Sequence, residues 1–258
     1  MLSTTELSHW LEQLLPTIRA AGELVMKVYG SDFEVDIKAD QSPVTQADQL
    51  AEDLITQALI ELTPHIPVVG EEAASGGTVQ AATERFWLVD PLDGTREFVD
   101  RNGEFTVNIA LIDSGKPVLG LVLLPALGHL YGGVAGLGSW VEAEAGQRRP
   151  IRCRASPPEG LSVLASRSHN DEAAVLAYLA DRKIAQIVHA GSSLKLCLLA
   201  DGQADVYPRF GRTMEWDIAA GQAILEAAGG TVEQLDGAPL CYGKPGYENP
   251  HFVAWGLR

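Results

Sequence analysis

One short segment constrains this chain more than any other: an apolar run that ends abruptly in two carboxylates. Residues 86–95 read Phe-Trp-Leu-Val-Asp-Pro-Leu-Asp-Gly-Thr, and the apolar part predicts a buried strand. Asp-Pro and Asp-Gly are strong turn signals, so we expect Asp90 and Asp93 on a tight loop at the end of that strand. Two carboxylates held together repel each other, and one is driven towards protonation unless a cation is near. Because Mg²⁺ prefers carboxylate and carbonyl oxygens, the segment predicts a magnesium site rather than an ordinary acidic turn.

Two further acidic segments support a metal site, although each also has an ordinary structural interpretation. Residues 68–72 read Val-Val-Gly-Glu-Glu, and a short apolar run ending in Glu71 and Glu72 is also typical of a solvated turn. Asp217 follows a Trp at the start of a predicted apolar helix, where an acidic residue often caps the helix or favours its dipole. Neither segment is decisive alone, but with Asp90 and Asp93 they form an oxygen-rich ligand set.

These three segments resemble the motifs of the inositol monophosphatase superfamily, whose members are Mg²⁺-dependent, lithium-sensitive phosphatases. That family carries a Gly-Glu-Glu element, an Asp-Pro-x-Asp-Gly-Thr loop and a Trp-Asp-x-x-Ala-Gly helix start, and this chain has all three in the same order. Further segments resemble one branch, the bacterial 3′(2′),5′-bisphosphate nucleotidases of the CysQ type: residues 42–48, 102–112, 166–169, 191–195 and 207–211. The resemblance therefore covers nearly the whole chain.

The resemblance implies a mixed α/β fold, the layered α-β-α-β-α sandwich of the inositol monophosphatase and fructose-1,6-bisphosphatase type. Periodicity alone predicts a long first helix, followed by a helix over 47–62 and strands over 105–113, 117–124, 129–134 and 139–143. A Pro-Pro stretch within 153–160 suggests a division of the chain. We expect an α+β half, residues 1–155, with most metal ligands, and an α/β half, residues 156–258, with Asp217 and the specificity residues.

Composition narrows the classes of function. The formal net charge of −15 disfavours binding to polymeric nucleic acid or to an anionic membrane surface. The three cysteines lie far apart and give neither zinc-ligand spacing nor a disulfide framework, which favours a reducing compartment. The chain shows no signal-peptide pattern and no apolar run near the roughly 18 residues that span a bilayer. We expect a cytoplasmic monomer or homodimer, or a protein held at the cytoplasmic face of the inner membrane as similar bacterial proteins are.

The family pattern assigns a metal ligand to each acidic position. It implies two or three Mg²⁺ ions held by the carboxylates of Glu71, Asp90, Asp93 and Asp217 and by the carbonyl of Leu92, with all of these except Asp90 also contacting the substrate. Two metal ions can stabilise both the attacking and the leaving oxygen of an in-line displacement. Phosphoryl transfer needs mainly positioning and charge neutralisation, so such a site would suffice.

Asp48 and Thr95 are the candidates for activating the attacking water. By resemblance, the Thr95 hydroxyl hydrogen-bonds both that water and the Asp48 carboxylate. The residues 45–48, Thr-Gln-Ala-Asp, also fit a helix capping box, and the sequence alone does not decide between the two roles. Gly94 and Thr95 would in addition offer backbone N–H groups to the substrate phosphate.

Specificity is predicted from small and basic residues. Residues 191–193, Gly-Ser-Ser, open an apolar helical stretch, so their amides and the Ser192 hydroxyl could meet an anion. Lys195 could be an ordinary surface charge, but the branch resemblance assigns it to substrate phosphate. Inositol-specific members carry a Glu where this chain has Arg209, and an Arg fork binds a second phosphate that a Glu would repel. His169 is either structural or in contact with the nucleotide.

Three functions remain open at this point. The first is hydrolysis of adenosine 3′,5′-bisphosphate to AMP, extending to the 3′-phosphate of PAPS, with a role in sulfur assimilation and recycling of the bisphosphate. The second is hydrolysis of inositol monophosphate or another sugar phosphate. The third is an inactive metal-binding regulatory protein. Arg209 and Lys195 favour the first over the second, and the complete ligand set argues against the third.

Overall fold

The computed structural model describes residues 2–37, 43–77, 83–144, 146–167 and 172–258. Its α-helices are α1 (Thr4–Tyr29), α2 (Gln46–Leu62), α3 (Glu71–Ser75), α4 (Thr95–Val99), α5 (Glu172–Tyr178), α6 (Leu194–Ala200) and α7 (Glu215–Ala227). A 3₁₀ turn covers Pro245–Tyr247, and the short strands β1 (Asp36–Ile37) and β2 (Pro43–Val44) pair with each other.

Seven strands form the larger sheet, in the order in which they follow along the chain. They are β3 (Val68–Gly70), β4 (Arg85–Asp93), β5 (Thr106–Asp113), β6 (Lys116–Leu124), β7 (His129–Val134), β8 (Gly138–Glu144) and β9 (Gln147–Ile151). β3 runs parallel to β4, and every later neighbour is antiparallel. The predicted strands between residues 105 and 143 are confirmed as β5 to β8.

Five strands form the smaller sheet, and their order differs from their order in the chain. They are β10 (Leu161–Ser166), β11 (Ile184–Ala190), β12 (Val206–Arg209), β13 (Thr231–Gln234) and β14 (Phe252–Trp255). The spatial order is β11-β10-β12-β14-β13. β10 is parallel to both of its neighbours, whereas β14 is antiparallel to both of its own, so the sheet is mixed.

Three apolar clusters stack the elements in five layers. One cluster joins α1 and α2 to one face of the larger sheet, and the second joins the opposite face of that sheet to α6, α7 and the smaller sheet. The third joins the outer face of the smaller sheet to α5. Every residue of β5 is buried, as expected for a strand covered by helices on both faces. The α-β-α-β-α sandwich that the family resemblance implied is therefore confirmed.

Helix α7 is the part of the middle layer that matters most for the site. It packs against β5 and β6, and its backbone lies directly on two glycines of the larger sheet. A Cβ at Gly120 would overlap the Ala220 carbonyl, and one at Gly133 would lie 2.7 Å from the Ile224 Cα. Only glycine allows this approach, so α7 sits close enough to the sheet for its first turn to face the end of β4.

The chain passes from the larger to the smaller sheet between Ile151 and Leu161, the connection in which the predicted division lies. Helix α7 then returns across this connection to pack on the larger sheet, so the two sheets share one layer of helices. The division into residues 1–155 and 156–258 stays a prediction.

Candidate active site

A cavity of about 310 Å³ lies where the end of β4 meets the first turns of α3, α4, α6 and α7. Its wall contains the predicted metal ligands together with the predicted substrate residues. The predicted site residues that line the cavity are Glu71, Asp90, Leu92, Asp93, Gly94, Thr95, Ser192, Lys195, Arg209 and Asp217. Residues from both halves of the sequence thus converge on one cavity.

The acidic segment at the end of β4 is strand rather than loop. Asp90 pairs with Asn108 and Asp93 with Thr106, so β4 gains one residue relative to β5 between these pairs. We predicted a tight loop because Asp-Pro interrupts the apolar run. The strand instead continues through Pro91 with a bulge, a position where proline's missing N–H is tolerated. The bulge changes the direction of β4, and both carboxylates face the cavity.

Local hydrogen bonds fix this bulge. The Leu92 N–H donates to Asp90 Oδ1 (3.1 Å), and the Thr95 hydroxyl donates to the Leu92 carbonyl (3.2 Å). Gly94 follows with φ +89°, a left-handed conformation that starts α4, and a Cβ there would lie 3.2 Å from Glu97 Oε2. The Asp-Gly-Thr sequence is therefore needed for the backbone path as well as for its side chains.

Glu71 and Asp217 reach the same cavity from neighbouring elements. Gly70 pairs in parallel register with Val89, so the residue after each of them, Glu71 and Asp90, emerges at the same edge of the sheet. The Glu71 carboxyl group lies close enough to Asp90 to raise the pKa of Asp90. Asp217 Oδ2 accepts the Met214 N–H at 2.9 Å, so it caps α7 as well as lining the cavity. The cap interpretation and the ligand interpretation of Asp217 are thus compatible.

The electrostatics of this group favour a nearby cation. Burial, followed by the charges of Glu71, Asp93 and Asp217, raises the pKa of Asp90 well above its usual value. Burial and the same kind of repulsion raise the pKa of Asp217 well above its usual value too. Burial also raises the pKa of Asp93, to about 6, against the attraction of Lys195. Since like charges in a buried site resist ionisation, a divalent cation is the natural counter-charge.

The fit to a metal ion rests on the charge, burial and shared cavity of these oxygens. Among the residues that the structure describes, no three acidic, histidine or cysteine side chains are arranged so that they could already hold a metal ion. Several of the carboxylate oxygens instead bond to N–H groups of the main chain, as Asp93 Oδ2 does to Ser193 N (2.6 Å). An all-oxygen set of four carboxylates and a carbonyl is the ligand chemistry that Mg²⁺ prefers.

Asp48 lies in the first turn of α2 and is almost fully buried. Its Oδ2 accepts the Thr45 N–H and the Thr45 hydroxyl, both at 2.8 Å, and the Thr45 hydroxyl also accepts the Ala47 N–H. The capping box is therefore real. Thr95 lines the cavity, whereas Asp48 is not among the described residues that do. The role of Asp48 in activating water stays a prediction.

The predicted anion-binding segment 191–193 is used partly by the protein itself. The Gly191 N–H donates to Glu104 Oε2 (2.8 Å) and the Ser193 N–H donates to Asp93 Oδ2, so these two amides hold carboxylates of the protein rather than facing an anion. The Ser192 hydroxyl differs, because it is buried and finds no hydrogen-bond partner among the described residues. Ser192 also has a left-handed backbone (φ +44°), an uncommon strain that is often found at functional sites.

Lys195 and Arg209 form the basic side of the cavity, and both are buried. Lys195 Nζ donates to the carbonyls of Ala190 (3.1 Å) and Ser192 (2.6 Å), and burial lowers its pKa to about 8, against the attraction of Asp93. Arg209, at the end of β12, donates from Nη2 to the Arg212 carbonyl at 3.1 Å. Both side chains are therefore buried cavity residues, and the interpretation of Lys195 as an ordinary surface charge is wrong.

Several residues in the cavity wall or beside it escaped prediction. Glu97 adds a fifth carboxylate to the cavity wall, and it is buried. It lies only four residues after Asp93, so its place directly after the acidic segment was an available signal. Arg167 donates two hydrogen bonds, of 2.9 and 2.7 Å, to the Glu104 carboxylate. Because Glu104 also accepts the Gly191 N–H, this ion pair helps to hold the segment that contains Gly191. His169 lies outside the described residues. No helix in the described parts of the chain is long and apolar enough to cross a membrane.

Comparisons with known proteins agree with this geometry. The sequence profile of the inositol monophosphatase family matches residues 6–255. The 3′(2′),5′-bisphosphate nucleotidase CysQ of Escherichia coli (strain K12) is 48% identical over 246 residues, covering 94% of this chain and 98% of that protein. The crystal structure of CysQ from Bacteroides thetaiotaomicron superposes with a TM-score of 0.81 at 38% identity, covering 96% of this chain and 97% of that one. An IMPase structure from Thermotoga maritima gives a TM-score of 0.78 at 25% identity, covering 96% and 92%.

Proposed function

This chain belongs to the inositol monophosphatase family, and from that premise we propose that it is a 3′(2′),5′-bisphosphate nucleotidase that converts adenosine 3′,5′-bisphosphate to AMP and phosphate. The family resemblance noted from the sequence motifs is thereby confirmed. The observation that carries the proposal is one cavity in which four acidic ligand candidates face two buried cationic side chains, Lys195 and Arg209. A substrate with two phosphates matches this division, because one phosphate can be cleaved while the other is only bound.

Glu71, Asp90, Asp93 and Asp217, with the carbonyl of Leu92, would hold two or three Mg²⁺ ions. When bound, Mg²⁺ neutralises phosphate charge and lowers the pKa of a water ligand, which supplies a nucleophile at neutral pH. The protein's own contribution is positioning. The bulge of β4 fixes Asp90 relative to Asp93, the Ser193 N–H fixes Asp93, and the Met214 N–H fixes Asp217.

Thr95 and Asp48 would orient the attacking water and accept its proton. The Thr95 hydroxyl already lies 3.2 Å from the Leu92 carbonyl, at the start of α4 and on the cavity wall. A buried carboxylate such as Asp48 can act as a general base when the attacking water reaches it directly or through one further water. The capping bonds hold Asp48 in a fixed orientation for that purpose.

The Asp48→Asn variant separates the cap from catalysis. The Asn side chain keeps an oxygen that can accept both bonds from Thr45, so the free energy of unfolding should change by no more than roughly 1 kcal/mol. The rate constant kcat should nevertheless fall about 10²-fold, because the amide cannot accept a proton from water. Thermal unfolding and steady-state kinetics measure the two effects. A variant that loses stability but keeps its rate would show that Asp48 is a cap only.

The bound but uncleaved phosphate would lie against Arg209, with the Ser192 hydroxyl and Lys195 completing the contacts. A guanidinium can hold two phosphate oxygens at once, and a buried hydroxyl that has no hydrogen-bond partner among the described residues can bond to the ligand instead. The same contacts would admit PAPS, whose 3′-phosphate is equivalent. His169 stays a prediction for contact with the nucleotide. The role in sulfur assimilation and in recycling of the bisphosphate follows from this substrate choice.

One assay tests the function and its alternatives together. We expect phosphate release from adenosine 3′,5′-bisphosphate in the presence of Mg²⁺, with a kcat/KM well above that for inositol 1-phosphate. The reverse preference would favour the inositol monophosphatase alternative. Absence of release from both substrates, with Mg²⁺ bound, would favour an inactive metal-binding protein. A cytoplasmic location, peripheral membrane contact and a monomeric or homodimeric state stay predictions.

A further inference from the structure

Glu52 is a buried carboxylate that the mechanism above does not use. It follows Asp48 by one turn of α2, and about 4% of its surface is exposed. Its two oxygens accept two successive backbone N–H groups of α3: Oε2 from Glu72 and Oε1 from Ala73, each at 2.8 Å. Two bonds of this kind fix the plane of the carboxylate and the orientation of the first turn of α3. That turn begins with Glu71.

Gly70 makes this contact possible. It is the last residue of β3, and a Cβ at this position would overlap the carboxyl group of Glu52. Its φ of −101° is open to any residue, so the requirement for glycine is space and not backbone conformation. The side chain of Glu52 therefore passes through a gap left for it between β3 and α2, directly behind Glu71.

Burying this carboxylate has a cost that packing alone does not explain. Burial raises the pKa of Glu52 to about 7, and the bonds from Glu72 and Ala73 only partly offset it. Glu71 and Glu72 are both nearby and add repulsion. An apolar side chain would fill the same space without this penalty, although it would leave two N–H groups of α3 unpaired. The two hydrogen bonds and the close approach to Gly70 therefore fix the start of α3 relative to α2.

We propose that Glu52 is a positioning residue for the metal centre, holding the first turn of α3 so that the Glu71 carboxylate is presented beside Asp90. The inference deepens the proposed function and rests on it. Because Asp48 and Glu52 lie on the same face of α2, this helix would set the position of the water-activating group and of a metal ligand together. Neighbours that orient metal ligands typically change metal affinity or activity 10- to 100-fold when they are replaced.

Direct titration of Mg²⁺ into the metal-free protein tests this, with isothermal calorimetry as the readout in addition to activity. Glu52→Gln offers one acceptor and one NH₂ group to two N–H donors, so the Mg²⁺ dissociation constant should rise about 10-fold or more. Glu52→Asp keeps the charge but is one methylene too short, and it should show a similar rise. Asp53→Asn, the matched control, removes a charge from the exposed neighbouring position of α2 and should bind as the wild type does.

The melting temperature of the metal-free variants is the second measurement. We expect kcat of Glu52→Gln to recover towards the wild-type value at saturating Mg²⁺, with little change in KM for the nucleotide. A variant that melts earlier but binds Mg²⁺ as the wild type does would overturn the proposal and leave Glu52 a purely structural residue. Weak binding by Glu52→Gln with normal binding by Glu52→Asp would also overturn it, because charge alone would then explain the loss. If Glu52→Gln does not fold, the Mg²⁺ dissociation constant of Glu52→Asp is the measurement that decides.

The two levels of failure are distinguishable. A wild-type protein that takes up no Mg²⁺ would overturn the proposed function and this inference with it. A wild-type protein that binds Mg²⁺ and hydrolyses the bisphosphate, beside Glu52 variants that bind equally well, would overturn this inference alone.

Discussion

Asp93→Asn is expected to lower kcat/KM for adenosine 3′,5′-bisphosphate by about 10³-fold or more, which corresponds to roughly 4 kcal/mol of transition-state stabilisation. The amide supplies no negative charge to a metal ion, while it keeps an oxygen for the N–H of Ser193 that now lies 2.6 Å from Asp93 Oδ2. The fold should tolerate the change. Burial raises the pKa of Asp93 to about 6, so removing the charge also relieves a cost in the metal-free protein.

We therefore expect the metal-free Asp93→Asn protein to melt at the same temperature as the wild type or at a higher one, even though it is nearly inactive. Steady-state kinetics over a range of Mg²⁺ concentrations and thermal unfolding in EDTA measure the two effects. Asp100→Asn, at the exposed C-terminal end of α4, is the matched control and should change neither. Full activity of the wild type in excess EDTA would end the metal hypothesis altogether.

Arg209→Glu is expected to weaken the preference of the cavity for a substrate with a second phosphate. Arg209 is buried at the end of β12, and its replacement removes a charge-assisted bond of about 1.5–3 kcal/mol and adds repulsion. The ratio of kcat/KM for adenosine 3′,5′-bisphosphate to kcat/KM for a monophosphate such as 2′-AMP should fall roughly 10- to 100-fold. Arg209→Lys keeps the charge but loses the two-pronged guanidinium. Its kcat/KM ratio should lie between those of the wild type and Arg209→Glu.

The ratio is the informative quantity because the charge of Arg209 also acts on Asp217, a proposed metal ligand. Its charge opposes the increase in the pKa of Asp217, so any substitution disturbs that carboxylate for both substrates alike. A common loss of activity cancels in the ratio, and only discrimination remains. If both substrates lose equally, Arg209 is structural, and the choice of a bisphosphate then depends on Lys195 and Ser192.

Local pattern was sufficient for the elements with strong periodicity. Alternating and continuous apolar runs predicted β5 to β8, and apolar positions at helical spacing predicted α1 and α2. The predicted start of α2 differs from the observed one by one residue. The stacking of layers came from family resemblance, because periodicity shows which face of an element is apolar but not which other face covers it. That information depends on contacts such as those of α7 with β5, which join residues about a hundred positions apart.

The sequence indicated the acidic residues that line the candidate site, but not the residues that hold them in place. Asp90 and Asp93 were recognisable because like charges beside a buried strand are unusual, although the bulge that places them was mistaken for a loop. The bonds of Glu52 to α3, of Glu104 to Gly191 and of Ser193 to Asp93 were not predictable, since each joins distant residues without a local signature. A polar residue whose partner lies elsewhere in the chain looks, in sequence, like any other surface residue.

The seating of α7 on Gly120 and Gly133 also bears on the order in which the protein is made. The larger sheet is complete at Ile151, yet the helix that covers its inner face and carries Asp217 begins only at Glu215. A nascent chain therefore presents that apolar face before its cover has left the ribosome, and such surfaces are prone to aggregate. Docking of α7 both closes this face and brings Asp217, a proposed metal ligand, to the cavity. A translation product that ends before Glu215 is therefore expected to lack activity on the nucleotide.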